Sequence, residues 1–142
     1  MKEPVGLLIA AARRRMKRAV QDRVRPHGLT AQQFWMLVNI DEAEGPSLGQ
    51  MAQRLRLDAP AASRAVTQLL RRKLVRVEGD RGDRRRLRLW LTPEGKARIG
   101  ALRTLAADLR GAAVHGLTRK EEDLLRVLLR KIIVNLDVLV GE

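Results

Sequence analysis

Residues 47–95 read SLGQMAQRLRLDAPAASRAVTQLLRRKLVRVEGDRGDRRRLRLWLTPEG, and their first half contains two closely spaced helix starts. Ser47 followed by Gln50 forms a capping box, in which the hydroxyl accepts from the amide three residues later and that residue's side chain reaches back. Asp58 precedes a proline in a first helical turn, which is a second start. This spacing, typical of a helix-turn-helix, predicts a helix over 48–55, a break at 56–58 and a helix over 59–73.

The second half of this stretch has the period of β-strands. In residues 75–77 and again in 87–91, apolar side chains alternate with others. Gly79 and Gly82 bound the turn between the two runs. The pattern therefore predicts a β-hairpin directly after the second helix, with Trp90 shielding its outer face.

The remaining segments are predicted to be helices with recognisable starts. Capping boxes begin at Thr30 and Thr118, and Thr92 precedes a proline at a first helical position. We predict further helices over 5–25, 31–43, 93–115 and 119–139. The fold class is therefore mainly α with one small β-hairpin.

Basic side chains are concentrated in two segments. The chain has 142 residues, the length of one domain, and a net charge of +13. Residues 1–28 hold eight Lys and Arg against two acids, and residues 71–88 hold nine against three, so each segment carries +6. Concentrated charge suits a polyanion such as DNA, RNA or an anionic membrane surface. The alternative, a solvated face, is favoured for 1–28 but not for 71–88.

Other classes of function find little support in the sequence. There is no cysteine, and His27 and His115 lack a cluster of metal ligands, so we expect no metal site. We find no nucleophile with a base and no phosphate loop, so we expect neither an enzyme nor a cofactor. No apolar run reaches 18 residues and the basic cluster follows the apolar start, which predicts no membrane span, no export and a cytoplasmic location.

The outer face of the helix over 59–73 favours DNA. Its predicted inward stripe is Ala62, Val66, Leu69 and Leu70, and that of helix 48–55 is Leu48, Met51, Ala52 and Leu55. The other face holds small and hydroxylic residues with one arginine: Ala59, Pro60, Ala61, Ser63, Arg64, Thr67 and Gln68. A major groove needs little steric bulk and a guanidinium that can bind guanine O6 and N7 together. An ordinary solvated face would look similar, so this helix alone does not decide.

The turn of the hairpin is crowded with arginine. Arg81, Arg84, Arg85 and Arg86 lie in it or beside it. Narrow minor grooves attract arginine, so we expect this loop to extend a DNA contact beyond the helix. Asp80 and Asp83 are out of place in such a contact, and we interpret at least one as the partner of an arginine that fixes the loop. A catalytic carboxylate pair is the alternative, but no pocket or metal ligand lies near them in sequence.

These features together resemble the MarR family of bacterial winged-helix transcriptional regulators. The likeness rests on Leu29-Thr30, Gln33-Phe34, Ser63-Arg64, Leu74-Val75, Asp83-Arg84-Arg85, Leu91-Thr92 and Gly95, in this order. It implies one MarR-like domain over 1–142, with a winged helix-turn-helix lobe over 29–95 and dimerisation helices in 1–28 and 96–142. It also implies an obligate homodimer that binds pseudo-palindromic DNA near promoters and is usually released by a small ligand. We expect such a protein to act as a repressor, although the sequence itself does not distinguish repression from activation.

Two features depart from the family pattern. Lys73 stands where the family commonly has glycine, which leaves the conformation of the helix exit open. The helix over 59–73 corresponds to the recognition helix of the family. Ala59, Pro60 and Ala61 make its start less polar than in most members, although Pro60 with Arg64 resembles a SlyA-like branch.

Carried over position by position, the resemblance implies a set of DNA contacts. The set is Ser47, Pro60, Ala61, Ser63, Arg64, Gln68, Arg81, Arg84, Arg85 and Arg86. Asp83 is expected to brace Arg85, which leaves Arg84 as the first candidate for the minor groove. Arg81 and Arg86 are equally well placed by sequence, so the choice among these arginines stays open.

The two ends of the chain carry more apolar surface than one small domain easily covers. The last helix is apolar nearly all round, and the first contributes Val5, Leu7, Leu8, Ile9, Met16 and Val20. We predict that both ends pack against a second copy, in a symmetric dimer that presents two recognition helices to two half-sites. A single monomeric core is the alternative.

An effector site is implied only by the resemblance. It would lie between the winged lobe and the dimerisation helices, which points to Arg13, Met16, Phe34, Trp35 and Leu102 as lining. Each apolar member of this set, taken singly, fits the hydrophobic core better than a ligand site. Because the arginines at 13–15 suit a carboxylate, the expected effector is a small anionic or aromatic molecule.

A non-specific nucleic-acid-binding protein, of the nucleoid or of RNA, is the main alternative function, since charge alone does not distinguish polyanions. Proteins that bind single strands stack bases on aromatic side chains, and this chain has one Phe, two Trp and no Tyr. A first helix lying on a membrane surface is a weaker alternative, because apolar residues 5–12 precede a basic run. Double-stranded DNA is favoured because helix, turn, hairpin and charge fall in one contiguous stretch.

Overall fold

A computed structural model describes residues 1–83 and 86–141 of the chain. Its elements are α1 Val5–Val24, a short 3-10 turn Arg25–His27, α2 Ala31–Ala43, α3 Leu48–Leu55, α4 Ala59–Arg71, β1 Val75–Gly79, β2 Leu87–Leu91, α5 Pro93–Ala113 and α6 Arg119–Val140. All the predicted helices and both strands form, with ends within two residues of those predicted. None of the helices in the described ranges is long and apolar enough to cross a bilayer.

The helix starts follow the local chemistry that the sequence predicts. The capping boxes at Thr30, Ser47 and Thr118 form with both of their hydrogen bonds. The Asp58 carboxylate accepts from the amide of Ala61 at 2.7 Å, which caps α4 as expected. These caps explain why the starts of the helices were predicted more closely than their ends.

The chain divides into two compact units, Met1–Leu109 and Arg110–Glu142. The core of the first unit is built around α2, whose side chains from Phe34 to Ile40 are buried apart from the half-buried Trp35. Met51 of α3, Leu69 of α4 and Leu89 of β2 belong to the same core. The helix-turn-helix and the hairpin therefore pack on the same hydrophobic core.

The inner face of α4 differs from the prediction at one position. Ala62, Val66 and Leu69 are buried as predicted, but Leu70 is 37% exposed and Ala65 is buried instead. An inward Leu70 was therefore wrong, because the face of α4 that meets the core is centred nearer to Ala65 than the apolar pattern suggested. In α3, Met51 is fully buried, and the other three predicted residues are half-buried.

The hairpin pairs Val75 with Leu91 at its base and Gly79 with Leu87 at its far end. Leu89 and Leu91 are buried while Trp90 is half-buried on the opposite face, as the alternation predicted. The amide of Leu89 also donates to the carbonyl of Pro46 at 2.8 Å. The loop before α3 thus extends the small sheet at its root.

The second unit, Arg110–Glu142, comprises the last turn of α5 and the rest of the chain, including α6. No side chain of α6 is buried in the described chain, although the helix is rich in leucine and valine. Its large exposed apolar side chains range from 37% exposure at Leu129 to 80% at Leu139. A large apolar surface of this helix is therefore uncovered within one chain.

Candidate nucleic-acid interface

The outer face of α4 is uncovered, as the sequence predicted. Ala59, Pro60, Ser63, Arg64 and Thr67 are exposed, and Ala61 is half-buried. The Thr67 hydroxyl donates to the carbonyl of Ser63 at 2.9 Å, which keeps it close to the helix. Arg64 has no hydrogen-bond or ion-pair partner among the described residues. The side chains of this face are therefore mostly small, and the guanidinium of Arg64 is available for an external ligand.

Hydrogen bonds join α4 and its C-cap to α2 and to the segment before α2, which the sequence did not reveal. The side-chain nitrogen Nε2 of Gln33 donates to the side-chain oxygen Oε1 of Gln68 at 3.1 Å. Arg72 donates to the carbonyl of Gly28 at 2.5 Å and to the Gln33 oxygen at 3.2 Å. Gln68, predicted as a DNA contact, thus has its oxygen engaged with α2. The capping role of Gln33 was the only sequence signal at this junction.

The wing is the hairpin of β1 and β2, and hydrogen bonds to its own backbone lie in the described part of its turn. The Asp80 carboxylate accepts from the amide of Gly82 at 3.0 Å, and the amides of Asp80 and Arg86 donate to the carbonyls of Arg86 and Asp83. Asp80 is therefore structural, although its partner here is a backbone amide rather than an arginine. Arg81 and Arg86 are exposed. The brace between Asp83 and Arg85 and the minor-groove role of Arg84 lie outside the described residues.

Ser47 is placed at the start of α3 and is only 8% exposed. Its hydroxyl accepts from the amide of Gln50 at 3.1 Å, so it serves the helix cap. A polar recess of about 230 Å³ lies beside it, lined in part by Gln50, Asp80, Arg86 and Arg88. The DNA contact of Ser47 stays a prediction.

The root of the wing contains an arginine that sequence reasoning missed. Arg88 donates from Nε to the carbonyl of Gly45 at 2.9 Å and from Nη2 to the carbonyl of Glu44 at 3.1 Å. Its guanidinium carbon lies 4.8 Å from the centre of the Trp90 ring, and that of Arg76 lies 5.8 Å from the same ring. The glycine in Gly45-Pro46, just before α3, was the available signal for such close packing.

The predicted effector residues separate into two groups. Arg13, Met16 and Trp35 line a groove of about 640 Å³ in the first unit. The rest of its lining is Lys17, Val20, Ala31, Gln32, Leu55, Arg56 and Leu57. Phe34 and Leu102 are fully buried in the core and do not line this groove. The groove therefore combines an apolar floor with cationic side chains from α1 and from the turn before α4.

The side chains that could hold a metal are dispersed. Across residues 1–83 and 86–141, no group of three His, Asp or Glu side chains is close enough together to hold an ion.

A helix-turn-helix followed by a hairpin with exposed arginines defines the winged helix-turn-helix class of DNA-binding proteins. Comparison with known proteins agrees with this class, since residues 27–86 match the MarR family. A mutant of MarR from E. coli, solved in complex with operator DNA, is 27% identical with a TM-score of 0.76, covering 91% of this chain and 93% of that one.

Two further structures extend the comparison. BpsR of Bordetella bronchiseptica, whose DNA binding is regulated by 6-hydroxynicotinic acid, is 29% identical with a TM-score of 0.77, covering 92% of this chain and 93% of that one. The regulator SlyA, at 20% identity, a TM-score of 0.80 and 94% coverage of both chains, shares the fold. Over residues 27–86 and in its fold, the chain is similar to the winged-helix transcriptional regulators of the MarR family, which confirms the resemblance predicted from the sequence.

Proposed function

We propose that this protein is a sequence-specific regulator of transcription that binds double-stranded DNA in the cytoplasm. In this proposal it acts as a homodimer on pseudo-palindromic operators and represses the genes beside them. The observation that carries the proposal is the uncovered face of α4, where Arg64 projects from a surface of small and hydroxylic side chains. That surface matches the steric and hydrogen-bonding needs of a major groove.

The two DNA-binding elements have different tasks. Pro60, Ser63 and Arg64 meet the major groove or its adjacent phosphates, and the guanidinium of Arg64 suits a guanine edge. Arg81 and Arg86, both exposed, bind the neighbouring minor groove or backbone, as do the arginines at 84–85. Contacts with the phosphates of DNA orient the protein on the duplex, while contacts with the base edges select the sequence.

The helices in 1–28 and 96–142 form the dimer in this proposal. The support is the set of exposed apolar side chains on α6 and the exposed Val5, Leu7 and Leu8 of α1. A two-fold axis between two copies would present two copies of α4 to successive major grooves, about one helical turn or a multiple of it apart.

The groove beside α1 is the proposed effector site. Arg13, Lys17 and Arg56 suit a carboxylate, and Trp35 and Met16 offer an apolar floor to an aromatic ring. Leu55 ends α3, and Arg56 and Leu57 belong to the turn that leads into α4, so a bound molecule would contact the turn of the helix-turn-helix. The regulation of BpsR by an aromatic acid gives a precedent for this chemistry. An effector that binds the free and the DNA-bound states differently must change DNA affinity by the same factor.

Selection of bound duplexes from a random DNA pool tests the proposal. We expect an enriched inverted repeat that the protein binds much more tightly than a scrambled duplex at the same salt concentration. Arg64→Ala should cost about 1–3 kcal/mol and relax the preference at one base pair of each half-site. Arg71→Ala, with the same charge change in the last turn of α4, should alter affinity without changing the preferred sequence.

Absence of enrichment would contradict sequence-specific regulation. Equal affinity for all duplexes, with a steep dependence on salt, would instead identify a non-specific polyanion-binding protein.

A further inference from the structure

Arg88 makes contacts that DNA binding does not explain. It lies on β2 opposite Glu78, yet its side chain turns back to the loop before α3. Its two hydrogen bonds go to successive carbonyls, those of Gly45 and Glu44, which lie 43 and 44 residues away in sequence. A planar guanidinium can bind two such acceptors at once, whereas an ammonium is a single point charge.

Trp90 supplies the second half of this arrangement. Its ring lies within 6 Å of the guanidinium groups of both Arg88 and Arg76, a distance at which a cation is attracted to an aromatic face. Its Nε1 is buried without a hydrogen-bond partner in the described structure, so the indole acts here through its face rather than as a donor. The tryptophan therefore holds the arginine against the loop.

Gly45 is adapted to the same contact. It has a φ of +74°, and a Cβ at this position would lie 2.4 Å from Cζ2 of Trp90 and 2.6 Å from Nη2 of Arg88. Only glycine leaves room for the ring and the guanidinium while adopting this backbone conformation without strain. The cluster of Gly45, Arg88 and Trp90 is therefore closely fitted, and we call it the wing clamp.

The position of the wing clamp gives it a consequence for the wing. Gly45 is followed by Pro46 and then by Ser47, the N-cap of α3, so the clamp joins β2 to the start of the helix-turn-helix. Past Leu87 and Gly79 the strands end, and the described turn is held by its own hydrogen bonds. The direction of the wing tip relative to the helix-turn-helix must therefore be set largely at its root.

We propose that Arg88 is a positioning residue that aims the wing arginines at DNA. It does so by fixing β2 to the Glu44–Gly45 carbonyls, and it need not contact DNA itself. The inference rests on the proposed DNA-binding function and adds to it the element that sets the direction of the wing. The contribution of Arg81 and Arg86 to affinity thus depends on Arg88.

The test compares Arg88→Lys with Arg76→Lys. Both changes keep the charge beside Trp90, but only the first removes the paired hydrogen bonds to the loop. With the duplex selected above, we expect Arg88→Lys to weaken binding about tenfold and Arg76→Lys by less than about twofold. Equal affinities of Arg88→Lys and the wild type would overturn the proposal.

A double-mutant cycle separates positioning from direct contact. In a protein that already carries Arg81→Ala, Arg84→Ala, Arg85→Ala and Arg86→Ala, the turn of the wing has no arginine left to aim, so Arg88→Lys should cause little further loss. A loss as large as in the wild-type background would mean that Arg88 acts independently of the tip, and the proposal would be wrong. A general loss of stability would not reproduce this non-additivity.

A measurement without DNA keeps this inference distinct from the proposed function. Amide hydrogen exchange in residues 86–91 should be faster in Arg88→Lys than in the wild type and unchanged in Arg76→Lys. Unaltered exchange in Arg88→Lys would overturn the clamp whatever the protein binds. Failure of the wild type to select any sequence, with faster exchange in Arg88→Lys, would refute the proposed function while leaving the clamp supported.

Discussion

Lys73 shows how one residue completes the exit from the recognition helix. It adopts a left-handed conformation with a φ of +58°, where the family commonly has glycine. The amide of Lys73 donates to the carbonyl of Leu70 at 3.0 Å, and that of Leu74 donates to Leu69 at 3.1 Å. This pair of bonds is the Schellman motif, so the exit keeps the usual geometry without the usual glycine.

Replacing Lys73 by glycine should stabilise the protein. A side chain in the left-handed region costs roughly 1–2 kcal/mol, while glycine gives back part of this gain through its freedom in the unfolded chain. We expect Lys73→Gly to raise the free energy of unfolding by about 0.5–1 kcal/mol in denaturant titrations. Lys73→Ala retains the Cβ and serves as the control, and an equal gain in both variants would contradict a conformational cause.

Gly95 is required for a different reason, because a larger residue would collide with the backbone of Leu74. A Cβ there would lie 2.3 Å from the backbone carbonyl oxygen of Leu74, and a backbone atom cannot move aside cheaply. We expect Gly95→Ala to lower the free energy of unfolding by about 1–3 kcal/mol or more. Gly100→Ala on the same helix meets no atom within 4 Å and should instead be stabilising by up to about 1 kcal/mol. Similar effects of the two changes in thermal unfolding would contradict this account.

Helix α6 begins with a capping box that favours the charged form of its acidic member. The amide of Thr118 donates to the carboxylate of Glu121 at 2.9 Å, and this bond, followed by the side-chain contact with Thr118, lowers the pKa of Glu121. Because the folded pKa lies below the unfolded value of about 4.3, the charged carboxylate stabilises the helix start above that pH. The contribution disappears as the pH falls through the folded pKa.

Thr118→Ala should move the pKa of Glu121 back towards its ordinary value. The substitution removes the hydroxyl that accepts from the Glu121 amide, so the capping box loses its reciprocal bond. A carboxyl titration by NMR on the wild type and the variant measures the change. The same pKa in both proteins would show that the Thr118 side chain has no part in the shift.

At the scale of the whole molecule, α6 carries more than half of the large exposed apolar side chains among the described residues. Replacing Leu125 and Leu136, 41% and 53% exposed, by glutamate should prevent the proposed dimer from forming, because charge would be buried between two copies. We expect light scattering at micromolar concentration to give a dimer for the wild type and a monomer for this double variant. Lys131→Glu with Asn135→Glu changes exposed polar positions on the same helix and should remain dimeric.

A monomeric mass for the wild type would contradict the dimer outright. A dimer should also unfold at a temperature that rises with protein concentration, while a monomer should not.

The helix starts, the hairpin and the basic wing could be predicted from the sequence. Caps at Thr30, Ser47, Asp58 and Thr118 act over three residues, and strand alternation has a period of two, so both are visible in a short window. The exposed face of α4 also followed from helical periodicity. These features were sufficient to indicate the winged helix-turn-helix class.

Only the tertiary structure decided which side chains meet across the chain. It buried Ala65 rather than Leu70, engaged Gln68 with Gln33, and joined Arg88 to Gly45. It also placed Met16 in a groove while burying Phe34 and Leu102 in the core. These outcomes depend on how helices and strands distant in sequence pack together, and local periodicity carries no information about the angle at which they meet.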